Sequence, residues 1–335
     1  MRIFITGVAG FLGSHLADRM IEKKIEVVGV DNLSGGFIEN VNTDVEFHIA
    51  DCMDIDKMKK YSKGCDVIFH AACTAHDGLS IFSPHYITQN TFQITMSVLS
   101  AALDNHVKRF IYCSSMARYG NKAETLYTED MVCCPESPYG YAKLAAEKII
   151  AQLASLNDME YVIVVPHNIF GPRQNYTDPY RNVVAIMINR ILQGKPPIIY
   201  GDGQQTRCFS YITDVIDCLV KIIELKNLNG EIINIGPDEE FITINRLSEM
   251  ISSIAGVYYE PIYMPARPLE VHHAACSSNK ARKLLGYKTK TTLIAALKEI
   301  YDFIRCCGMK EFNYNTAPIE IHNRKLPPAW GKKLI

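Results

Sequence analysis

Short apolar runs alternate with longer helical patterns through the first half of the chain. Runs rich in β-branched residues predict strands at 2–6, 26–30, 45–49, 66–70, 109–113 and 161–165. Apolar residues that recur three and four positions apart predict helices at 11–22, 90–103 and 139–156. Strands that alternate with helices of this length are typical of βαβ units with a parallel sheet. Right-handed crossovers then give a doubly wound α/β fold.

The pattern changes after Pro166, where proline and glycine become frequent. Helices are predicted at 183–192, 215–225, 244–254 and 293–304, with short strands between them. We therefore expect two domains. The first comprises residues 1–165, to which the chain returns at about 208–236. The second is a smaller C-terminal α/β domain for substrate, made of residues 166–207 and 237–335.

The charge balance narrows the range of partners. The 335 residues include 35 basic and 36 acidic side chains, so the formal net charge is -1. No basic excess is available to neutralise nucleic-acid phosphates or to hold an anionic membrane surface. No apolar run reaches the roughly 18 residues of a membrane span. The apolar start of the chain fits a strand and turn better than a signal peptide.

Eleven cysteines raise the question of disulfides or a metal site. They lie mainly within apolar patterns, and the sequence contains no CxxC motif and no Cys/His spacing typical of zinc. We therefore expect no metal, free thiols and a reducing, cytoplasmic location.

A glycine-rich turn follows the first predicted strand. Gly7, Gly10 and Gly13 form G-x-x-G-x-x-G between that strand and a helical pattern. In such turns the glycines allow a tight bend, close approach to a pyrophosphate and close packing of helix on sheet. Asp31 ends the second strand, where a carboxylate binds the ribose 2′-hydroxyl and repels a 2′-phosphate. The pattern predicts NAD rather than NADP, with the residues from Asn32 to Gly35 beside the same ribose.

A tyrosine and a lysine stand four residues apart at the start of the helix predicted at 139–156. Tyr139 and Lys143 therefore share one helix face. A tyrosine titrates near pH 10, and a neighbouring ammonium favours its phenolate. Ser115 follows a parallel strand at the sheet edge where such folds bind ligands. These three residues are the candidate catalytic groups.

Taken in order, these motifs resemble those of the extended short-chain dehydrogenase/reductases of the nucleotide-sugar epimerase and dehydratase family, especially its UDP-hexose 4-epimerases. The resemblance covers about the first 290 residues, from TGVAGFLG through Tyr139-x-x-x-Lys143 to Gly201-Asp202-Gly203 before Arg207. It implies NAD as cofactor. It also implies a cofactor site formed by Gly7, Gly10, Phe11, Leu12, Gly13, Asp31, Asn32, Ser34, Gly35, Asp51, Cys52, Ala71, Ala72, Asn90, Tyr139, Lys143 and Pro166.

The resemblance also implies a chemistry. In the family, the equivalent of Tyr139 takes the proton of the substrate C4 hydroxyl, and a 4-keto sugar forms. Dehydratases place an Asp-Glu pair just after the Ser/Thr, and decarboxylases keep a Glu there. This chain has Met116 and Ala117, which neither give nor take a proton. A 4-epimerase is therefore favoured, with a 4-dehydrogenase, reductase or 4,6-dehydratase as alternative and an NAD-sensing regulator without activity as a remote one.

For the substrate, the resemblance implies a nucleoside-diphosphate sugar. Asn168, Arg207 and Arg267 match positions that hold the diphosphate, which suits the bidentate guanidinium group. Glu270 matches a position that holds the nucleoside ribose. Ala274 matches the position that gates the C2 substituent of the sugar, so we expect a pocket that accepts N-acetylhexosamines as well as hexoses.

Three further expectations concern less typical parts of the chain. Arg118 replaces a residue that is usually valine in the family, and we interpret it as a solvated surface arginine, with an anionic group on the substrate as the alternative partner. Residues 310–335, here called the C-terminal segment, lie outside the family motifs and are expected to pack on the body. The helices predicted at 90–103 and 139–156 pair in homodimers of related proteins, so we expect a homodimer.

Overall fold

The computed structural model describes residues 1–121, 126–274 and 276–335. The strands are β1 (Arg2–Thr6), β2 (Glu26–Asp31), β3 (Glu46–Ile49), β4 (Val67–His70), β5 (Arg109–Cys113), β6 (Glu160–Pro166), β7 (Ile169–Phe170), β8 (Ile198–Tyr200), β9 (Thr206–Arg207), β10 (Ser210–Tyr211), β11 (Glu231–Ile235), β12 (Ile242–Thr243), β13 (Ile262–Met264) and β14 (His273–Ala274). The α-helices are α1 (Phe11–Glu22), α2 (Ile55–Tyr61), α3 (Asp77–Ser80), α4 (Pro84–Thr88), α5 (Ile94–Asp104), α6 (Pro138–Leu156), α7 (Val183–Leu192), α8 (Ile212–Glu224), α9 (Ile244–Ala255), α10 (Asn279–Leu285), α11 (Leu293–Cys307) and α12 (Pro328–Gly331).

A parallel sheet forms the centre of the fold. Within the described residues its seven strands lie in the order β11-β6-β5-β4-β1-β2-β3. The order reverses beside β1, so a crevice opens there at the carboxyl ends of the strands. Apolar side chains from both faces of the sheet pack against helices in two buried clusters. The predicted doubly wound α/β fold is confirmed.

The edge strand β11 is added to the sheet from late in the chain. β11 pairs with β6 from Glu231↔Val162 to Ile235↔Pro166. Between these two strands the chain builds β7 to β10 together with α7 and α8. Beyond β11, the strands β12 and β14 flank β9, and β13 pairs with β8. Of these short strands, β8 and β9 contribute residues to the second wall of the crevice.

Several predicted boundaries differ from the structure. The helix predicted at 90–103 is a π-helical turn (Gln89–Gln93) followed by α5, and Asn90 in that turn has non-helical dihedral angles. The helix predicted at 215–225 begins earlier, because α8 starts directly after β10 at Ile212. The short helices α2, α3, α4, α10 and α12 were not predicted, since their lengths are below what periodicity detects.

Candidate active site

A cavity of about 630 Å³ lies at the carboxyl ends of the parallel strands. Its sheet-side wall includes the turn after β1, the end of β2 and the start of α6. Its other wall comes from β8, β9 and the loop at Arg267. Every predicted catalytic and cofactor-binding residue lines this cavity, together with Asn168, Arg207, Arg267 and Glu270.

The glycine turn after β1 is closely packed against neighbouring backbone. Gly7 has φ +72°, and a Cβ there would lie 3.0 Å from Cα of Ala72. A Cβ on Gly13 would lie 2.2 Å from the carbonyl oxygen of Gly7. Gly7 and Gly13 therefore cannot carry side chains, and α1 begins directly after the turn at Phe11. The backbone amides at the N-terminus of this helix, beside glycines that carry no side chain, fit a pyrophosphate, so these residues fit NAD.

Asp31 shapes the loop after β2. Its carboxylate accepts hydrogen bonds from the backbone N–H groups of Ala9 (3.0 Å) and Leu33 (2.8 Å). Burial raises the pKa of Asp31, and these amides oppose the shift. The carboxylate thus lies at the cavity edge with its conformation fixed by the glycine turn.

The loop beyond Asp31 extends the predicted ribose site. The Asn32 side chain accepts from the hydroxyl of Ser34 (2.7 Å) and donates to Asp51 (3.1 Å). Cys52 follows Asp51, and burial raises the pKa of its thiol, which stays protonated. The segment therefore presents oxygen atoms and amides rather than cations, which suits a ribose and not a phosphate.

The candidate catalytic residues meet where α6 starts beside the end of β5. The hydroxyl of Ser137 caps α6 by accepting from the N–H of Gly140 (3.0 Å), which fixes the first helical turn. Lys143 donates from Nζ to the carbonyl oxygen of Cys113 (2.6 Å). The same Nζ lies 5.8 Å from the ring centroid of Tyr139. Tyrosine and ammonium therefore share the helix face that the spacing predicted.

Burial and charge act in opposite directions on this pair. Burial raises the pKa of the Tyr139 hydroxyl, while the ammonium of Lys143 opposes that rise. Burial alone would lower the pKa of Lys143, but the surrounding thiol and phenol groups, led by Cys73, carry it above its ordinary value. Lys143 is therefore a permanent cation. An additional positive charge near the ring would lower the pKa of the Tyr139 hydroxyl further and favour its phenolate.

Ser115 begins the loop after β5. Its Oγ accepts a hydrogen bond from the N–H of Ala117 (3.2 Å) and caps the 3-10 helix Met116–Arg118. Its hydroxyl proton remains available to a ligand, because this bond uses the oxygen as acceptor only. Met116 and Ala117 also line the cavity. The wall directly after Ser115 thus carries two side chains without titratable groups.

The expectation of a solvated Arg118 is wrong. Arg118 and Glu147 form an ion pair of 2.9 Å, and each side chain is only 3% exposed. Arg118 also donates to the hydroxyl of Tyr119 (3.2 Å), while the other Glu147 oxygen accepts from the Ser114 hydroxyl. Arg118 is not among the residues that line the cavity, so the anionic-substrate alternative fails as well. The sequence signal for a buried arginine was the acid Glu147, which lies four residues after Lys143 and so on the same face of α6.

The predicted diphosphate site contains two arginines that share one acid. Arg267 donates from Nε and Nη2 to the two Glu270 oxygens (3.0 and 2.8 Å), and Arg207 lies 3.6 Å from the same carboxylate. Burial would raise the pKa of Glu270, but Arg267 and then Arg207 hold it below its ordinary value. Two cations against one anion leave a net positive charge that fits a diphosphate.

Asn168 lies at the same wall of the cavity. It has φ 44° and donates from its side chain to the carbonyl oxygen of Cys208 (2.9 Å). In β14, the backbone of Ala274 pairs with Arg207. The side chain of Ala274 lies outside the described part of the chain, so the expected gating role stays a prediction.

Two histidines near the site are structural in their contacts. His70 lies between the hydroxyls of Thr6 (2.7 Å) and Thr95 (3.0 Å), and burial lowers its pKa to about 3. His167 donates from Nε2 to the carbonyl oxygen of Pro237 (2.8 Å), and burial lowers its pKa to about 4. Both rings are therefore neutral near pH 7.

Sequence reasoning missed several residues that line the cavity. His76 and Asp178 form a buried pair of 2.6 Å. Arg181 contributes a guanidinium that forms no ion pair with any acid in the described residues. Trp330 and Ile335 bring the C-terminal segment into the wall. Of these, only Arg181 carried a sequence signal, as an unassigned cation just before α7.

Comparison with known proteins agrees with this arrangement. Residues 3–236 match the NAD dependent epimerase/dehydratase family. A putative UDP-glucose 4-epimerase of Methanocaldococcus jannaschii is 33% identical over 307 residues, which are 90% of this chain and 98% of that protein. In the part of the chain that the structure describes, no helix is long and apolar enough to cross a membrane.

Two solved structures share the fold closely. The UDP-glucose 4-epimerase of Thermotoga maritima with UDP-glucose has a TM-score of 0.86 and 32% identity, over 92% of this chain and 99% of that chain. The UDP-glucuronic acid 4-epimerase of Bacillus cereus, in complex with UDP-glucuronic acid and NAD, has a TM-score of 0.85 and 29% identity, over 92% of this chain and 100% of that chain. With the family match extending over more than half of its length, the chain belongs to the NAD dependent epimerase/dehydratase family.

Proposed function

We propose that the protein is an NAD-dependent 4-epimerase of a nucleoside-diphosphate sugar, with UDP-glucose or UDP-galactose and their N-acetylhexosamine counterparts as substrates. One observation carries the proposal. The Tyr139–Lys143 pair, the glycine turn and the arginine pair Arg207 and Arg267 line a single cavity. A nucleotide sugar whose diphosphate lies at the arginines extends its sugar toward Tyr139, where the chemistry takes place.

Each catalytic residue has one task in this proposal. Tyr139 takes the proton of the C4 hydroxyl and later returns it, while the hydroxyl of Ser115 holds the same oxygen. Lys143 supplies a fixed positive charge beside the phenol. NAD, which the glycine turn and Asp31 would hold, would supply an acceptor and later donor for the hydride of C4, and its oxidised ring would add positive charge to that of Lys143. The 4-keto sugar turns in the cavity before its other face is reduced.

The wall after Ser115 supports epimerisation over elimination. Removal of water from C5 and C6 needs an acid and a base beside those carbons. Met116 and Ala117 offer neither, which argues against a 4,6-dehydratase. A 4-dehydrogenase or reductase uses the same three catalytic residues and is distinguished by its need for a second electron donor or acceptor.

A second substrate class is favoured by Arg181. This cation lines the cavity and lies close enough to Tyr139 to influence its phenol electrostatically. A buried or partly buried cation gains most from an anionic partner. UDP-glucuronate would supply a carboxylate on C5 of the sugar, and we therefore include it among the candidate substrates.

The test uses purified protein with no added cofactor. UDP-glucose, UDP-N-acetylglucosamine and UDP-glucuronate are supplied separately, and products are identified by proton NMR and mass spectrometry. We expect a new sugar nucleotide of unchanged mass. Tyr139→Phe should lower kcat about 10²–10⁴-fold and keep its NAD. Tyr141→Phe is the matched control, because Tyr141 is 60% exposed on the same helix. Loss of water or carbon dioxide, or full activity of Tyr139→Phe, would contradict the proposal.

The arrangement of domains and subunits belongs to the same proposal. Residues 1–165 and about 208–236 would bind NAD, and residues 166–207 and 237–335 would bind the sugar nucleotide. A homodimer through α5 and α6 would have twice the chain mass of 37.7 kDa, measurable by sedimentation. The cytoplasmic location expected from the cysteine spacing stays a prediction.

A further inference from the structure

The C-terminal segment is attached on both sides of the cavity. On one side, the carbonyl oxygen of Lys310 accepts from the side chain of Asn189 in α7 (2.9 Å). On the other, the carboxylate of Glu320 accepts from the backbone N–H groups of His85 (3.0 Å) and Tyr86 (2.8 Å) at α4. The segment therefore connects α4 with α7, two helices that each contribute residues to the cavity lining.

The end of this segment forms part of the cavity wall. Trp330 in α12 is 2% exposed and lies edge-on to the rings of Phe82 (6.2 Å between centroids), Tyr180 (5.6 Å) and Tyr200 (6.3 Å). Ile335 lines the cavity beside it, and its backbone N–H donates to the hydroxyl of Tyr314 (2.8 Å). The wall is thus built from an aromatic cluster rather than from a loose tail.

Trp330 lies beside the proposed diphosphate site. The guanidinium carbon of Arg267 is 5.0 Å from the ring centroid of Tyr200, which packs against Trp330. A Cβ on Gly78 would lie 3.5 Å from Cη2 of Trp330 and 3.8 Å from Nη1 of Arg267. Indole and guanidinium therefore border the same small space, which glycine leaves open.

Three side chains of this wall have unsatisfied polar groups. Nε1 of Trp330, the hydroxyl of Tyr200 and Oγ1 of Thr316 are buried without a hydrogen-bond partner in the described residues. All three residues line the cavity. Buried polar groups in folded proteins are nearly always paired, so three unpaired ones at one wall indicate a partner that comes from outside the chain. A ligand rich in acceptor oxygens beside Arg267 has the required chemistry.

We propose that the C-terminal segment is a substrate-binding element, in which Trp330, with Tyr200 and Thr316, forms the wall that binds oxygen atoms of the nucleoside diphosphate. This inference rests on the proposed function, because it names a new part of the same substrate site. It gives a role to the stretch that lies outside the family motifs. The residues that would hold NAD line the sheet side of the cavity, so its binding would not depend on this wall.

The protein reports on this wall directly, because Trp330 is its one tryptophan. UDP is titrated into the purified protein while tryptophan emission is recorded, and the same titration is followed by calorimetry. We expect a saturable change in emission with the dissociation constant that calorimetry gives. UDP that binds by calorimetry without any change in emission would overturn the inference, and this measurement needs no variant.

A variant then measures the contribution to substrate binding. Trp330→Phe keeps an aromatic ring but removes the indole N–H, and it should raise KM for the converted sugar nucleotide about tenfold or more. We expect kcat within twofold and an unchanged NAD content, a split that a general loss of structure would not give. His322→Ala, at an exposed position of the same segment, is the control. An unchanged KM in Trp330→Phe would overturn the inference.

The two proposals fail in different ways. If UDP binds and changes the emission but none of the three sugar nucleotides is converted, the inference is supported and the proposed epimerisation is contradicted. If a sugar nucleotide is converted while Trp330 responds to neither UDP nor mutation, only the inference is overturned. If UDP does not bind, both are overturned.

Discussion

The ion pair between Arg118 and Glu147 allows a stringent test of the buried electrostatics behind the catalytic residues. Both side chains are 3% exposed, and Arg118 Nη2 lies 2.9 Å from Glu147. Arg118→Met removes the cation and leaves the carboxylate buried without its partner, which typically costs about 3–5 kcal/mol. With an unfolding entropy of about 0.7 kcal/mol/K for a chain of this size, the melting midpoint should fall by about 4–7 °C.

The loss should depend on pH in a defined direction. Burial raises the pKa of Glu147, and Arg118 opposes that rise in the wild type. In Arg118→Met the folded-state pKa moves further above the unfolded one, so the protonated carboxyl is favoured by folding. Stability is then retained at low pH and lost as pH rises through the folded-state pKa. The deficit relative to wild type should therefore grow as the pH rises above the ordinary pKa of glutamate, which is tested at pH 5 and pH 8.

The assay is thermal unfolding by circular dichroism at both pH values, with the double variant Arg118→Met/Glu147→Gln as control. The double variant buries no charge and keeps an acceptor for the hydroxyl of Ser114, so most of the loss should be recovered. A midpoint within about 1 °C of wild type for Arg118→Met would refute the reasoning. A double variant no more stable than the single one would refute it equally.

Three further predictions concern the glycine turn, the diphosphate site and a neutral histidine. Gly13→Ala places a Cβ 2.2 Å from the Gly7 oxygen, so the turn must shift at a cost of about 1–3 kcal/mol, and the NAD released by acid from purified protein should fall well below wild type; an unchanged NAD content would argue against this cofactor site. Arg207→Ala should raise KM about 10–100-fold with a smaller effect on kcat, because a charged hydrogen-bond donor to phosphate is lost, whereas the exposed Arg246→Ala should leave steady-state kinetics unaltered. His70 has a folded-state pKa of about 3, whereas the unfolded chain takes up a proton near the ordinary histidine pKa. Between these two pKa values protonation favours the unfolded chain. His70 therefore lowers the free energy of unfolding of the wild type by about 2 kcal/mol at pH 5 relative to pH 7.5. Between pH 7.5 and pH 5, the free energy of unfolding measured in urea should therefore fall by about 2 kcal/mol less in His70→Gln than in the wild type. An equal pH dependence in both proteins would contradict the low pKa of His70.

The parts of the fold that local patterns determine could be predicted from the sequence. β1 and α1 have the predicted bounds, because an apolar run, a glycine turn and a helical period follow one another without ambiguity. α6 starts one residue earlier than predicted, since Pro138 takes the first helical position after the Ser137 cap. The sheet order follows from the same local elements and from crossover handedness.

The parts that depend on distant partners could not be predicted. Arg118 is buried because Glu147, far along the chain, reaches it from α6. Trp330 lines the cavity because the chain returns across it after α11. Neither contact could be predicted from local periodicity, because each joins single residues that lie far apart in the sequence.

Residues of the predicted cofactor site meet in one cavity because they follow strands whose carboxyl ends share an edge.

The late return of β11 to the sheet has a consequence for biosynthesis. Until residue 235 leaves the ribosome, β6 lies at one edge of the sheet, and the backbone groups of Val162–Val165 that face β11 lack their partners. At about 5–20 residues per second this edge stays open for several seconds. An open edge of β-branched residues is a template for pairing with other chains. Nascent chains of this protein therefore pass through an aggregation-prone stage, and a fragment that ends after β6 would remain in it permanently.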